Sequence, residues 1–225
     1  MTTSSPPQLE FSEKYDARHA RQYLLKHDDG FWRRVSNWRE HQLARKALRL
    51  AGNPNTVLDI PCGTGRFWDV LSEQPDRVIY ACDYSQSMID VGMASRPGEI
   101  TEGVRAFKAS AFDIPVDDNF VDCVFCIRLL HHIGRGEDRL KLLRELNRVT
   151  SDMVIVSLWV DGNIKSWSRR RLEKSRAARA YQNRFVVQKS VIEQEFDQCG
   201  FDVVAHLDFA RYLAMWRTYV LRKRA

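Results

Sequence analysis

The stretch Val57-Leu58-Asp59-Ile60-Pro61-Cys62-Gly63-Thr64-Gly65-Arg66-Phe67 constrains the fold more than any other part of the chain. Residues 57–60 are aliphatics broken by one acid, the composition of a short strand buried on both faces. Cys62-Gly63-Thr64-Gly65 follows as a turn of small residues, and Arg66-Phe67-Trp68-Asp69-Val70-Leu71 opens a helix. Strand, glycine turn and helix form the ligand-binding corner of an open α/β sheet, at the carboxyl end of its first strand. Glycines let the backbone approach a ligand closely, and the amides at a helix start can meet negative charge.

The elements that follow keep the alternation such a sheet requires. Residues 78–83 read as a second strand ending on Asp83, and Ser85 caps a helix carrying Met88, Ile89 and Val91. Residues 104–109 and 121–127 read as the third and fourth strands. Residues 137–149 form an amphipathic helix with Leu140, Leu143 and Leu146 turned inward, and residues 153–159 a fifth strand. Two more strands are expected near 201–204 and 212–221. The expected architecture is an α/β, Rossmann-like, seven-stranded, mostly parallel doubly wound sheet.

Three segments stand outside that core of residues 53–160. Residues 1–10 are rich in Ser, Thr and Pro and are expected to be a disordered tail. Residues 11–52 read as an N-terminal helical lid of two or three helices, interrupted at Asp28-Asp29-Gly30. Within it Tyr15 and Tyr23 either close over the ligand or pack on the sheet, and Trp38 is expected to pack on the sheet. Residues 161–189 are a basic cap insertion, in which nine Lys and Arg residues from Lys165 to Lys189 face the single acid Glu173. Trp167, Leu172, Ala177, Ala178 and Tyr181 interleave with them as in an amphipathic helix. Residues 190–225 return to complete the sheet.

Spacing removes two common glycine-turn ligands. No G-x-x-x-x-G-K-[ST] occurs, so the turn is not a phosphate-cradling P-loop. A dinucleotide fingerprint would need its third glycine at position 68, and an indole there blocks the close helix–strand packing that glycine permits. The five cysteines are scattered, and Cys123 and Cys126 lie three apart on a strand, which turns them to opposite faces. They read as buried structural thiols, and no metal site is expected. Net charge is +6, no apolar run follows a basic start, and no segment approaches the roughly 20 apolar residues of a membrane span. A cytoplasmic protein is expected.

Four segments in order resemble the class I S-adenosylmethionine-dependent methyltransferases, in the small-molecule branch related to the ubiquinone and menaquinone methyltransferases. Asp59-Ile60-Pro61-Cys62-Gly63-Thr64-Gly65 stands for the first motif of that family, and Asp83 in Cys82-Asp83-Tyr84 for its second-strand acid. Ala109-Ser110-Ala111-Phe112-Asp113-Ile114-Pro115 matches the third-strand segment, and 120–126 running into Leu129-Leu130-His131-His132 the fourth. The resemblance implies S-adenosyl-L-methionine as cofactor. It places Asp59, Pro61, Cys62, Gly63, Gly65, Asp83, Tyr84, Ser110, Ala111, Phe112 and Cys126 around the cofactor, with Tyr15 and Tyr23 from the lid. Asp83 lies 18 residues beyond Gly65, near the roughly 20 expected of an acid that accepts from ribose hydroxyls. Its other reading is a helix N-terminal charge. Asp59 lies near the cofactor's amino-acid tail or makes a structural hydrogen bond to the turn. Two residues depart from the pattern: Pro61 removes one amide from the turn, and Ser110 stands where an acid often meets the adenine amine.

The implied reaction is methyl transfer, for which the protein supplies alignment, desolvation and, for a hydroxyl acceptor, a base. His131 and His132 are the candidates for that base, or a packing pair, and Arg128 is a candidate for substrate binding. Arg169 and Arg170 in the cap point to an anionic acceptor, a small molecule or lipid-linked intermediate, or to peripheral contact with an anionic membrane. The Asn/Asp-Pro-Pro-Tyr/Phe of nucleic-acid amino-methyltransferases is absent after the fourth strand, where Cys126-Ile127-Arg128-Leu129 stands, which disfavours nucleic acid. The alternatives are a cofactor-binding interaction protein with little turnover, or a protein or RNA methyltransferase.

Overall fold

The computed structural model describes residues 30–175 and 184–224, the first group including only the backbone of 170–175. Helix α1 (Phe31–Leu50) precedes strand β1 (Thr56–Asp59), the glycine turn and the short helix α2 (Trp68–Leu71). Then come β2 (Val78–Asp83), α3 (Gln86–Ser95), α4 (Gly98–Thr101), β3 (Val104–Lys108) and β4 (Val121–Cys126). A 3-10 turn (Leu130–His132) leads to α5 (Gly136–Val149), β5 (Thr150–Val160), α6 (Ile164–Ser175) and β6 (Val186–Val187). The chain continues through α7 (Lys189–Gln198), β7 (Phe201–Asp208) and β8 (Trp216–Lys223).

Seven strands form one sheet in the order β3-β2-β1-β4-β5-β8-β7, and two-residue β6 pairs with β5 off that path. Strands β1 to β5 are parallel, while β8 runs antiparallel between β5 and β7. The carboxyl ends of β1, β2, β4 and β5 therefore open on one edge of the sheet. The expected strands stand close to where the periodicity put them, except that the last begins at Trp216 rather than near 212. Strand β6 was not foreseen: two residues are too few to show a period.

Both faces of the sheet are covered, which is why β1 reads as unbroken apolar residues. Leu58 packs with Leu142, Leu143, Leu146, Ile192 and Phe196 of α5 and α7. Its neighbour Val57 packs on the opposite face with Leu43, Ala47, Trp68, Leu71 and Ile89 from α1, α2 and α3. Cys123 and Cys126 divide in the same way between the two faces, and burial pushes both thiols up. In α5 the inward stripe is Arg139, Leu142, Leu143, Leu146 and Val149, so Leu140 is only partly covered. Arg139 meets Glu195 of α7 through two hydrogen bonds of 2.6 and 2.8 Å, fixing the two helices on that face.

Helix α1 corrects one expectation. Trp38 is 60% exposed, and the helix turns Leu43, Ala44, Ala47 and Leu48 to the sheet instead. At 100° per residue, position 38 points about 120° away from position 44, so the aromatic stripe and the buried stripe lie on different sides. The expected earlier helix, including Tyr15 and Tyr23, and the tail at 1–10 lie outside the described residues.

Candidate functional site

Trp68 shapes the glycine turn from behind. Its indole is fully buried, and a Cβ on Gly65 would stand 2.4 Å from Trp68 Cε3. Gly92 of α3 meets the other end of the ring, where a Cβ would stand 3.2 Å from Cη2. Gly65 (φ 67°) and Gly63 (φ 55°) both adopt the left-handed backbone that only glycine accepts readily. A Cβ on Gly63 would meet nothing within 4 Å, so the outer surface of the turn is open.

The turn is tied to β2 as well as to its own helix, where Trp68 N donates to Gly65 O at 3.2 Å. Cys62 N donates to Cys82 O at 2.9 Å, and Gly63 N donates to Asp83 Oδ2 at 2.9 Å. Ser85 N donates to Asp83 Oδ1 at 2.9 Å, so one carboxylate gathers the glycine turn and the start of α3. Burial raises the Asp83 carboxyl above the ordinary carboxylate range, opposed by hydrogen bonds from the Ser85, Gly63 and Tyr84 amides. The Ile60–Pro61 bond is cis, and none of these turn hydrogen bonds needs the amide that Pro61 lacks.

Asp59 lies directly beneath, 2% exposed, with Oδ2 unpartnered. Desolvation first, and the charge of Asp83 second, push its carboxyl well above the ordinary range. The Trp68 indole lies on the side that favours the charged form, yet neither Asp59 Oδ2 nor Trp68 Nε1 completes a hydrogen bond of normal geometry. Thr64 Oγ1 is a third buried polar atom in this corner without a partner. Since the folded chain protonates Asp59 more readily than the unfolded chain does, Asp59 erodes stability as pH rises through its raised pKa, and not below the ordinary carboxylate range. Asp59→Asn is therefore expected to stabilise the ligand-free protein at about pH 8 by about 1–3 kcal/mol, and to change little near about pH 4. Thermal denaturation of both proteins across that range checks this. Destabilisation at both ends would mean that the carboxylate is satisfied.

The remaining sequence-predicted positions surround this corner. Tyr84 is partly exposed beside Asp83, with the Lys108 ammonium 5.9 Å from its ring centre. Ser110 Oγ accepts from Phe112 N at 3.2 Å, which folds Ala111 and Phe112 back over the end of β3. Phe112 and Cys126 are buried, the latter as the last residue of β4.

Two residues past β4, Arg128 adopts φ 69°, uncommon for a side chain of this size, and its amide donates to Ser157 Oγ at 2.9 Å. Its guanidinium donates to Glu40 of α1 at 2.9 and 3.1 Å and lies 4.9 Å from the Trp216 ring centre. Glu40 also holds Arg66 of the glycine turn at 2.9 Å. One carboxylate on α1 thus bridges the glycine turn and the exit of β4. Glu40, Arg66, Ser157 and Trp216 were not singled out in the sequence. Only Arg66, inside the glycine motif, carried a signal there.

His131 and His132 stack at 4.0 Å between ring centres. His131 is buried against Trp216 (4.6 Å) and Trp159 (5.2 Å), and its Nδ1 has no partner. Desolvation, then the neighbouring His132, Arg128, Arg184 and Arg169, depress its basicity far below the ordinary imidazole, so it is neutral. The Arg169 guanidinium lies 4.6 Å and that of Arg184 5.7 Å from the Trp159 ring centre. The His131 carbonyl accepts from Phe185 N at 2.8 Å, pinning the chain where it returns from the insertion. The side chain of Arg170 lies outside the described residues.

Residues 58–156 match the family model described as a methyltransferase domain. A demethylmenaquinone methyltransferase of Thermobifida fusca is 36% identical over 97 residues, covering 42% of this chain and 38% of that protein. A tRNA (carboxymethyluridine(34)-5-O)-methyltransferase of Arabidopsis thaliana is 27% identical over 107 residues, covering 47% of this chain and 24% of that protein. The chain thus spans well under half the length of these two relatives. In fold it resembles the magnesium protoporphyrin IX methyltransferase of Synechocystis, solved with bound SAH. The TM-score is 0.76 at 14% identity, covering 96% of this chain and 98% of that one.

Proposed function

We propose that this chain, whose residues 58–156 match a methyltransferase domain, is a class I S-adenosylmethionine-dependent methyltransferase that methylates a small-molecule acceptor bearing negative charge. The observation that carries the reading is the Asp83 carboxylate, buried at the carboxyl end of β2 and drawing the glycine turn and the start of α3 to itself. The cofactor is S-adenosylmethionine, which supplies an electrophilic methyl group on a sulfonium. The residues fit it: Asp83 offers acceptor lone pairs to a vicinal diol, the open turn at Gly63 lets backbone approach, and unpartnered Asp59 Oδ2 offers a carboxylate to an ammonium. Cys62, Gly65, Tyr84, Ser110, Ala111, Phe112 and Cys126 complete the proposed lining.

The acceptor is assigned to the adjoining edge of β4 and β5, where Arg128, Arg169 and Arg184 surround the aromatic group of Trp159, Trp216 and the histidines. Guanidiniums over aromatic faces orient planar anions and exclude water. A proton leaving a hydroxyl acceptor is taken by His132, the less buried of the pair, whereas His131 serves as the packed neutral ring behind it. Among the described residues no helix is long and apolar enough to cross a membrane, and peripheral contact through the basic cap belongs to this proposal.

The similarity to a tRNA methyltransferase supports a second reading, an RNA acceptor. Incubating a cell extract with methyl-labelled cofactor and the purified protein, then separating solvent-extractable material, RNA and protein, distinguishes them. Label is expected in the solvent-extractable fraction. Label confined to RNA would replace the first reading with the second. Cofactor binding without label anywhere would favour an interaction protein with little turnover.

A further inference from the structure

A groove of about 610 Å³ lies toward the opposite edge of the sheet from Asp83, between α1, the β7–β8 connection and the bend after β5. Counting strands at about 4.8 Å apart from β2 to β8 and β7 puts it roughly 20 Å away, so it is separate from the glycine turn. Arg39 and Lys46 enter it from α1, seven residues apart and hence on one helix face. Lys189 enters from the start of α7, passing so close to Gly162 (φ 76°) that a Cβ there would stand 2.8 Å from its Nζ. Arg211 and Arg217 enter from the β7–β8 side.

Among the described residues the charges do not balance. Asp208 is the one carboxylate in the lining, and Arg217 takes both its oxygens at 2.7 and 3.1 Å. Arg39 donates only to the Phe209 carbonyl at 3.1 Å, and Lys46, Lys189 and Arg211 form no ion pair among the described residues. Four cations around one concavity repel each other and focus a positive potential into it. That arrangement opposes folding when the groove holds only water and is relieved by a multiply charged anion. The volume lies within the range of small-molecule sites.

We propose that this groove binds a phosphate or diphosphate group, carried by a free phosphorylated molecule or by a lipid headgroup. The proposal does not depend on methyl transfer, because it is read by binding alone. In calorimetric titration with sodium pyrophosphate, the full chain should show saturable binding that weakens with added salt. Lys46→Glu combined with Arg211→Glu, both exposed positions, should weaken it by at least about tenfold. The thermal midpoint should not fall, because the substitutions relieve the repulsion among the cations, and the affinity for S-adenosylhomocysteine should stay unchanged. Single Lys46→Gln is the milder control should the double variant fold poorly. Flotation with phosphatidylglycerol vesicles, against phosphatidylcholine, then separates the sources. Vesicle binding lost in the variant supports a headgroup, and pyrophosphate binding without vesicle binding supports a free phosphorylated molecule. Absence of pyrophosphate binding, equal affinity in the variant, or variant-sensitive binding of RNA alone would each overturn the proposal.

Discussion

Asp83→Ala is expected to weaken S-adenosylmethionine binding by at least about a hundredfold, and to do so with only a modest loss of stability. In the ligand-free chain both carboxylate oxygens accept backbone amides, Gly63 N and Ser85 N, each at 2.9 Å. Alanine leaves those two amides to partly buried surroundings, at about 1–3 kcal/mol for a buried donor and less where water reaches it. It also removes the charge proposed to receive the cofactor's hydroxyls, where each charge-assisted bond is worth about 1.5–3 kcal/mol. Asp83→Asn keeps one acceptor oxygen and should fall between the two. Calorimetry with S-adenosylhomocysteine, alongside thermal denaturation, separates the effects. An affinity within about threefold of the original would remove Asp83 from the cofactor site.

Glu40→Ala should produce the largest loss of stability of any single change at the site, about 3 kcal/mol. Its carboxylate is the shared partner of Arg66 and Arg128, at 2.9 Å to each. Without it, two guanidiniums face each other across α1 with Arg66 Nη1 already unpartnered. Breaking a buried ion pair costs about 3–5 kcal/mol, and the lower end applies here because Arg128 keeps 30% of its side chain exposed. For a chain of this size the midpoint should fall by roughly 6–12 °C. Glu40→Met with Arg66→Met should recover part of the loss, because it removes the more deeply buried of the two guanidiniums and leaves only Arg128, which water reaches. A midpoint unmoved by Glu40→Ala would reduce the bridge to a solvated surface contact.

Much of the sheet is legible because burial on both faces leaves a continuous apolar signature, as at Val57-Leu58 and Val121 to Cys126. The glycine turn is legible for a related reason. Gly63 and Gly65 hold backbone conformations that few other residues tolerate, so their spacing survives as a pattern. Trp68 was read correctly as excluding a third glycine, but its packing between Gly65 and Gly92 depends on a contact 24 positions apart in the chain, which no local period encodes. Glu40 is hidden for the same reason, since a lone acid on a helix looks solvent-facing until Arg66 and Arg128 are brought to it by the fold. Trp38 misled because hydrophobicity on a helix does not say which of two apolar stripes meets the sheet. The proposed acceptor pocket was half visible: the two histidines and Arg128 stood out, whereas Trp159 and Trp216 looked like ordinary strand residues.

The position of β8 has a bearing on how this protein emerges from the ribosome. The glycine turn, the acid of β2 and the whole parallel half of the sheet are encoded before residue 161, so they are available early. Yet β7, synthesised first of the last two, has no place beside β5 until β8 arrives to lie between them. During that interval β5, buried on both sides in the finished fold, presents a bare edge of Val154, Val156 and Leu158. An open apolar edge of this kind is an invitation to pair with the wrong strand. Slow translation across residues 209–216 would prolong that exposure, and a chaperone that shields extended apolar segments would be most useful there.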